Sequence, residues 1–180
     1  MKIKKAEPKD LLALMDVYKV ARQFMKDTGN PNQWKDSYPE EAVVKRGISE
    51  GKAYLCLAEG PMDGKEGEDI RPGDLLGTFY FAVEEDASYC KIYEGQWLNN
   101  EPYGVIHRIA SSGKGQGFAR ACFDWAGEQW SNLKIDTHRD NKVMQHVLEK
   151  NGFQKCGIIY LENGEERLAY QKIGKSGKAI

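Results

Sequence analysis

The chain has almost no net charge to offer a partner: 26 Lys and Arg against 27 Asp and Glu leave −1 over 180 residues. Without a surplus of either sign there is no long-range field to gather a phosphate backbone or an anionic bilayer, so neither nucleic acid nor membrane is an expected partner. Long apolar runs are missing as well; none approaches the roughly 20 residues that span a membrane. The basic opening MKIKKAEPKD lacks the apolar stretch of a secretory signal, and the protein is expected to be cytoplasmic. Cysteine is sparse. Cys56, Cys90, Cys122 and Cys156 form no CxxC pair and have no histidines at zinc-ligand spacing, so neither a metal centre nor a disulfide framework is expected. Cys56, Cys122 and Cys156 sit in apolar runs, where a thiol acts as a small buried hydrophobe. No repeat and no second compositional unit is visible, which implies one domain over 1–173 and a frayed tail over 174–180.

What is present alternates between helical and strand patterns. Leu11, Leu14, Met15, Tyr18, Ala21 and Met25 follow one helical face after Pro8, and Gly29, Asn30 and Pro31 end that helix. YPEEAVVKRGISEG predicts a second helix and AYLCLAEG a short strand. Pro61–Asp74 reads as a surface loop, and LLGTFYFAVEE carries the strongest strand signal in the chain. An aromatic, turn-rich stretch then leads into the strand VIHRIAS. FARACFDWAGEQW predicts a helix with Phe118, Cys122, Ala126 and Trp130 on its buried stripe. LKIDTH predicts a strand, and NKVMQHVLEKNG a helix burying Val143, Met144, Val147 and Leu148, capped by Asn151–Gly152. FQKCGIIYL and ERLAYQK close the chain as a hairpin. The implied class is α/β with a mixed sheet and helices on both faces.

The most informative stretch is VIHRIASSGKGQGFARACFDWA, a strand that runs into Gly113, Gly115 and Gly117 and straight on into a helix. Glycines let the backbone turn tightly and aim several N–H groups at one anion, and the helix N-terminus adds unpaired donors and partial positive charge. Such a loop can hold a pyrophosphate with no side-chain charge, with Lys114 as an optional aid. The spacing fits neither the phosphate loop G-x-x-x-x-G-K-S/T nor the dinucleotide fingerprint G-x-G-x-x-G. A left-handed turn without a ligand is the other reading of the same residues.

The run Lys114-Gly115-Gln116-Gly117-Phe118-Ala119 resembles the acetyl-CoA signature R/Q-x-x-G-x-G/A of the GNAT superfamily of N-acetyltransferases, with Lys114 in place of Arg or Gln. IDTHRDNKVMQHVLEKNGF resembles that superfamily's next block, IIYLENGEERLAYQK its terminal hairpin and EPKDLLALMDVYK its opening helix. The likeness covers nearly the whole chain in order. It implies a mostly antiparallel sheet, splayed at the strand before the glycine loop to open a slot for a thioester. It further implies acetyl-CoA as donor, with its pyrophosphate on the backbone amides of Gly115, Gln116, Gly117, Phe118 and Ala119. The edge at Ile109, Ala110 and Ser111 would pair with the pantetheine arm like an added strand. Asn141 would lie beside that arm or the thiol, although an asparagine there also suits a helix N-cap.

Acetyl transfer to an amine needs a base, because an alkylamine is protonated at neutral pH. His107, on the strand bordering the slot, is the first candidate, and Asp136 with His138 on the next strand form the second. A backbone N–H near Ile109 or Ala110 would polarise the thioester carbonyl. Trp34, Tyr38, Trp97 and Tyr103 either frame an acceptor groove or pack beneath irregular loops. One departure stands out: where the superfamily carries a tyrosine that protonates the leaving thiolate, in Y-x-K-x-G-F, this chain has Leu148. The expected activity is transfer of acetyl to a primary amine, small-molecule or peptide, by direct attack in a monomer or homodimer. A non-catalytic acyl-CoA-binding module on the same fold is the alternative.

Overall fold

The computed structural model describes residues 1–63 and 69–174. Its centre is a seven-stranded sheet formed by β1 (Lys2–Lys5), β2 (Ala53–Leu57), β5 (Leu75–Val83), β6 (Gly104–Ser111), β7 (Asn132–Thr137), β9 (Glu166–Ile173) and β8 (Gln154–Tyr160), in that spatial order. Every neighbouring pair is antiparallel except β6 and β7. A separate two-stranded ribbon, β3 (Met62–Asp63) with β4 (Asp69–Ile70), lies within the segment read from sequence as loop. Ile70 is almost fully buried there, because it packs into the main core instead of facing water.

Alternation along the strands sorts side chains onto two faces. On one face α1 (Leu11–Asp27) and α2 (Glu41–Ser49) bury Leu14, Val17, Tyr18, Val44 and Ile48 against Ala53, Leu55 and Ala110. On the other, α3 (Phe118–Gln129) buries Phe118, Cys122, Phe123 and Ala126 against Cys56, Phe79, Phe81 and Ile106, and Leu148 of α4 (Lys142–Lys150) joins the same core with Phe153. Each fully buried Leu or Phe contributes about 1.5–3 kcal/mol, so the two layers rather than helix propensity hold α1 to α4 in place. Trp130 and Val143 depart from the sequence reading and are exposed. Trp130 lies past the end of α3, where its extended backbone turns it off the helical stripe. The buried side of α4 is Leu148 with Met144 and Val147, a stripe that excludes Val143.

Two irregularities interrupt the sheet around β6. First, Thr78 pairs with Ala110 and Tyr80 with His107, so Arg108 and Ile109 together oppose Phe79 alone: a β-bulge in β6. Arg108 sits there at φ +52°, a left-handed backbone that few non-glycine residues adopt. Second, β6 pairs with β7 only at Gly104–Leu133 and Val105–Lys134; beyond that the two strands part, and among the described residues the rest of that edge of β6 has no strand beside it. The sheet is thus opened at its middle, on the strand that enters the glycine loop.

The segment between β5 and β6 is pinned by a buried polar cluster. Gln171, fully buried, donates to Asn132 Oδ1 (2.7 Å) and Asn99 Oδ1 (3.1 Å) and accepts from the Leu98 amide (2.8 Å). Asn132 donates in turn to Asn99 Oδ1 and to the carbonyls of Glu101 and Pro102. The 175–180 tail lies outside the described residues. Among the described residues no helix is long and apolar enough to cross a membrane.

Candidate active site

The splay between β6 and β7 opens into a cavity of about 660 Å³, whose wall includes Trp34 and Tyr38 from the α1–α2 connection, Gly47 of α2, Tyr80 of β5, His107 and Arg108 of β6, and Asp136 and Thr137 of β7. Asn141 and Ile109 also reach it. His138, just past the end of β7, is not on this wall; its Nδ1 accepts from the Asp140 amide at 3.2 Å. Burial lowers the affinity of the His138 ring for a proton. Trp97 and Tyr103 are placed elsewhere. They sandwich the buried Lys134 ammonium, 4.1 and 4.0 Å from their ring centroids, and desolvation there pulls the lysine below its ordinary pKa.

His107 is held between two carboxylates. Its Nε2 lies 2.8 Å from Asp86 Oδ2, and its Nδ1 faces Asp136 Oδ1 at 3.7 Å. Burial alone would raise the Asp86 pKa, but the contact with His107 and a hydrogen bond from the Ser88 amide outweigh it and hold the carboxyl below its usual range. Asp136 accepts from the buried Tyr89 hydroxyl at 2.7 Å and lies 3.9 Å from Arg167 Nε. Burial first, then the Asp136 charge, push the Tyr89 phenol well above its ordinary value, so it stays a donor. Each ring nitrogen of His107 thus faces a carboxyl group.

A second chain of groups lines the cavity from the β5 side. The Tyr80 hydroxyl donates to Glu84, which also receives Lys52 at 2.7 Å. Burial and the Glu84 carboxylate raise the Tyr80 phenol to about 12. Asp86, Glu84, Tyr80 and Tyr89 were not singled out from sequence. They lie at the end of β5 and in the turn-rich stretch after it, where no period marks a side chain's direction; only the Tyr80–His107 pairing brings them together. Thr137 was missed because alternation along β7 sets it on the opposite face from Asp136, yet both line the cavity at the strand's end. Its hydroxyl is fully buried on the cavity wall and, among the described residues, has no hydrogen-bond partner.

The glycine loop is built as an open cradle. Gly113, Gly115 and Gly117 all have left-handed backbones, at φ +86°, +65° and +80°. The amides of Gly113 and Lys114 turn back onto Ser111 and Ser112 hydroxyls. The next five, those of Gly115, Gln116, Gly117, Phe118 and Ala119, find no acceptor among the described residues. The cradle is anchored from below: Phe118 is buried over Gly77, where a Cβ would fall 2.4 Å from the phenyl ring and 2.5 Å from the Ala110 carbonyl oxygen. Lys114 is exposed beside the loop. Asn141 caps α4 by accepting from the Met144 amide at 3.0 Å and donates to Gln33 at 2.9 Å, so its side chain is already fixed at the wall of the slot.

No protein-family model matches the chain, and no curated protein sequence does. Solved structures do. A GNAT-family acetyltransferase from Streptococcus agalactiae is 32% identical, with a TM-score of 0.81, over 97% of this chain and 96% of the other. A GNAT-family acetyltransferase from Listeria monocytogenes is 20% identical, with a TM-score of 0.65, over 96% and 94% of the two chains. The fold is also shared, at 14% identity and a TM-score of 0.57 over 97% of this chain and 100% of the other, by a chain of the NatC complex solved with Gag peptide and CoA.

Proposed function

The chain belongs to the GNAT family of acetyltransferases, and we propose that it moves acetyl from acetyl-CoA to the primary amine of a small molecule or peptide. The observation that carries this reading is the row of unpartnered amides from Gly115 to Ala119 at the head of α3, reached along a strand edge that β7 leaves open. A buried hydroxyl without a partner, Thr137, stands at the same slot. A ligand with a pyrophosphate at one end and an amide-bearing arm at the other satisfies both.

In this reading the amides of Gly115 to Ala119 bind the pyrophosphate, with Lys114 beside them. Ile109, Ala110 and Ser111 pair with the pantetheine arm, and the rigid Asn141 carboxamide borders it. When bound, acetyl-CoA supplies the activated acetyl group. The backbone N–H at Ile109 or Ala110, beside the bulge, donates to the thioester carbonyl. His107 removes the proton of the attacking ammonium; Asp86 fixes the ring through Nε2, leaving Nδ1 as acceptor, and Asp136 offsets the charge that forms. Leu148 occupies the position of the superfamily's tyrosine and is fully buried in the core, so the thiolate's proton comes from another source. That substitution is what favours the second reading, a domain that binds acyl-CoA without turnover.

Calorimetric titration of acetyl-CoA, paired with thiol release across an amine panel, tests the proposal. Acetyl-CoA should bind, and His107→Gln should keep that affinity while losing about 10²–10⁴-fold in kcat. Binding without turnover of any amine would establish the second reading, and a folded protein that ignores acetyl-CoA would sink both.

A further inference from the structure

The cavity's charges do not cancel locally. Its carboxylates are all engaged by the protein: Glu84 and Glu50 with Lys52, Asp86 with His107, Asp136 with Tyr89 and Arg167, and Glu165 with Lys35 and Arg167. Two guanidinium groups on the same wall, Arg108 and Arg46, have no carboxylate within 4.0 Å among the described residues. The site therefore has no free anion for a polycation and two free cations for an anion.

Arg108 is also held in place. Its guanidinium carbon stands 4.5 Å from the Tyr80 ring centroid, against Gly47 of α2, with one long contact of 3.5 Å to the Tyr38 hydroxyl. Stacking occupies one flat face of the fork, and its edge faces only neutral phenols, Tyr38 and the buried Tyr18, with no carboxylate to balance the charge among the described residues. Successive strand residues normally point to opposite sides of a sheet, yet His107 and Arg108 line one cavity because the bulge sets Arg108 at φ +52°. A left-handed backbone on a non-glycine residue is a cost that persists where surrounding structure enforces it, typically at a working site.

We infer that the acceptor is an anionic amine, one whose carboxylate or phosphate is bound by Arg108 and Arg46 while its amine faces His107. This rests on the acetyl-transfer reading and narrows it to a substrate class. Polyamines and aminoglycosides are excluded as preferred acceptors. The Arg108 guanidinium carbon and the His107 ring both stand by the Tyr80 ring, 4.5 and 5.9 Å from its centroid, and that closeness favours compact acceptors such as α-amino acids and phosphorylated aminoalcohols. Planar bidentate donors suit both anions.

Matched pairs test it: each α-amino acid against its own carboxamide, and ethanolamine phosphate against ethanolamine, with thiol release from acetyl-CoA as readout. Arg108→Asn suits the left-handed backbone and removes the charge, and Arg46→Gln is the second variant. The wild type should prefer at least one charged member by tenfold or more in kcat/KM. In Arg108→Asn that preference should fall about 10–100-fold, a comparison that also cancels the different basicities of the paired amines. Equal or better use of the uncharged members or of spermidine, or a preference unmoved by both variants, would overturn the inference. If acetyl-CoA binds and no amine turns over, acetyl transfer fails separately. N-acetyl amino acids and their carboxamides, titrated into CoA-saturated protein, then decide the anion site: tighter acids weakened by Arg108→Asn uphold it, and equal affinities end it.

Discussion

The segments on either side of β6 are both irregular, and they handle their polar groups in opposite ways. Before the strand, the stretch from Glu84 to Tyr103 is closed onto the protein by Gln171 and Asn132, and its rings pack on Lys134 and on one another. After it, the stretch from Ser112 to Gly117 leads into α3 with a run of amides, Gly115 to Ala119, that find no acceptor among the described residues. A polar group left unmade costs free energy only where water is kept from it, and these largely exposed amides, continuous with the spare donors at the head of α3, stand open to an anion at little cost. The first segment is a wall, the second a receptor, and the contrast lies in their hydrogen bonds more than in their composition.

The sharpest way to break that contrast is to fill the receptor. Gly117→Trp places a side chain on a left-handed backbone where, among the described residues, a Cβ would have only Met1 as a neighbour within 4 Å, at 3.8 Å. Acetyl-CoA affinity should drop about a thousandfold or more by calorimetry, with the circular dichroism spectrum kept. The complementary change empties the wall's hydrogen bonds. Gln171→Leu strands the Leu98 amide and the Asn132 oxygen and takes one donor from Asn99 Oδ1, which keeps Asn132 and the Glu101 amide, and should cost about 2–3 kcal/mol in urea unfolding while leaving affinity for acetyl-CoA intact. If affinity fell with stability, the two segments would not be independent.

The smallest effect concerns a tie across the cavity mouth, where Glu165 joins Lys35 at 2.7 Å and Arg167 at 2.9 Å. Lys35, then Arg167, lower the Glu165 carboxyl from 4.5 to about 2. A depressed folded pKa gives stability that is complete above about pH 4.5 and lost as pH falls towards 2. Exposure limits the pair to about 0.2–1 kcal/mol. Glu165→Gln should flatten that part of the acid-denaturation curve and leave the neutral-pH unfolding midpoint nearly unmoved.

Much of the fold could be read from the chain because its signals are local. The apolar face of α1, the dense strand β5, the glycine run into α3 and the closing hairpin all stand where their patterns predict. What escaped depends on pairing across distance. β1 is Lys-Ile-Lys-Lys, too short and too charged to read as a strand, and it exists through its ladder with β2. Asp86 and Glu84 gain meaning only when Tyr80 is set opposite His107. The direction of Arg108 was hidden most deeply, since one extra residue in a strand leaves no mark on composition.

That extra residue changes the parity of the strand. Thr78 and Tyr80 are two apart on β5, whereas their partners Ala110 and His107 are three apart on β6. Odd and even positions therefore exchange sides along β6, and everything after Ile109, including the approach to the glycine loop, is out of phase with everything before it. Deleting one residue between His107 and Ala110 would restore the count, zip the ladder and rotate the rest of the strand by half a turn. For this chain, reading frame within a strand is as binding as reading frame within a gene.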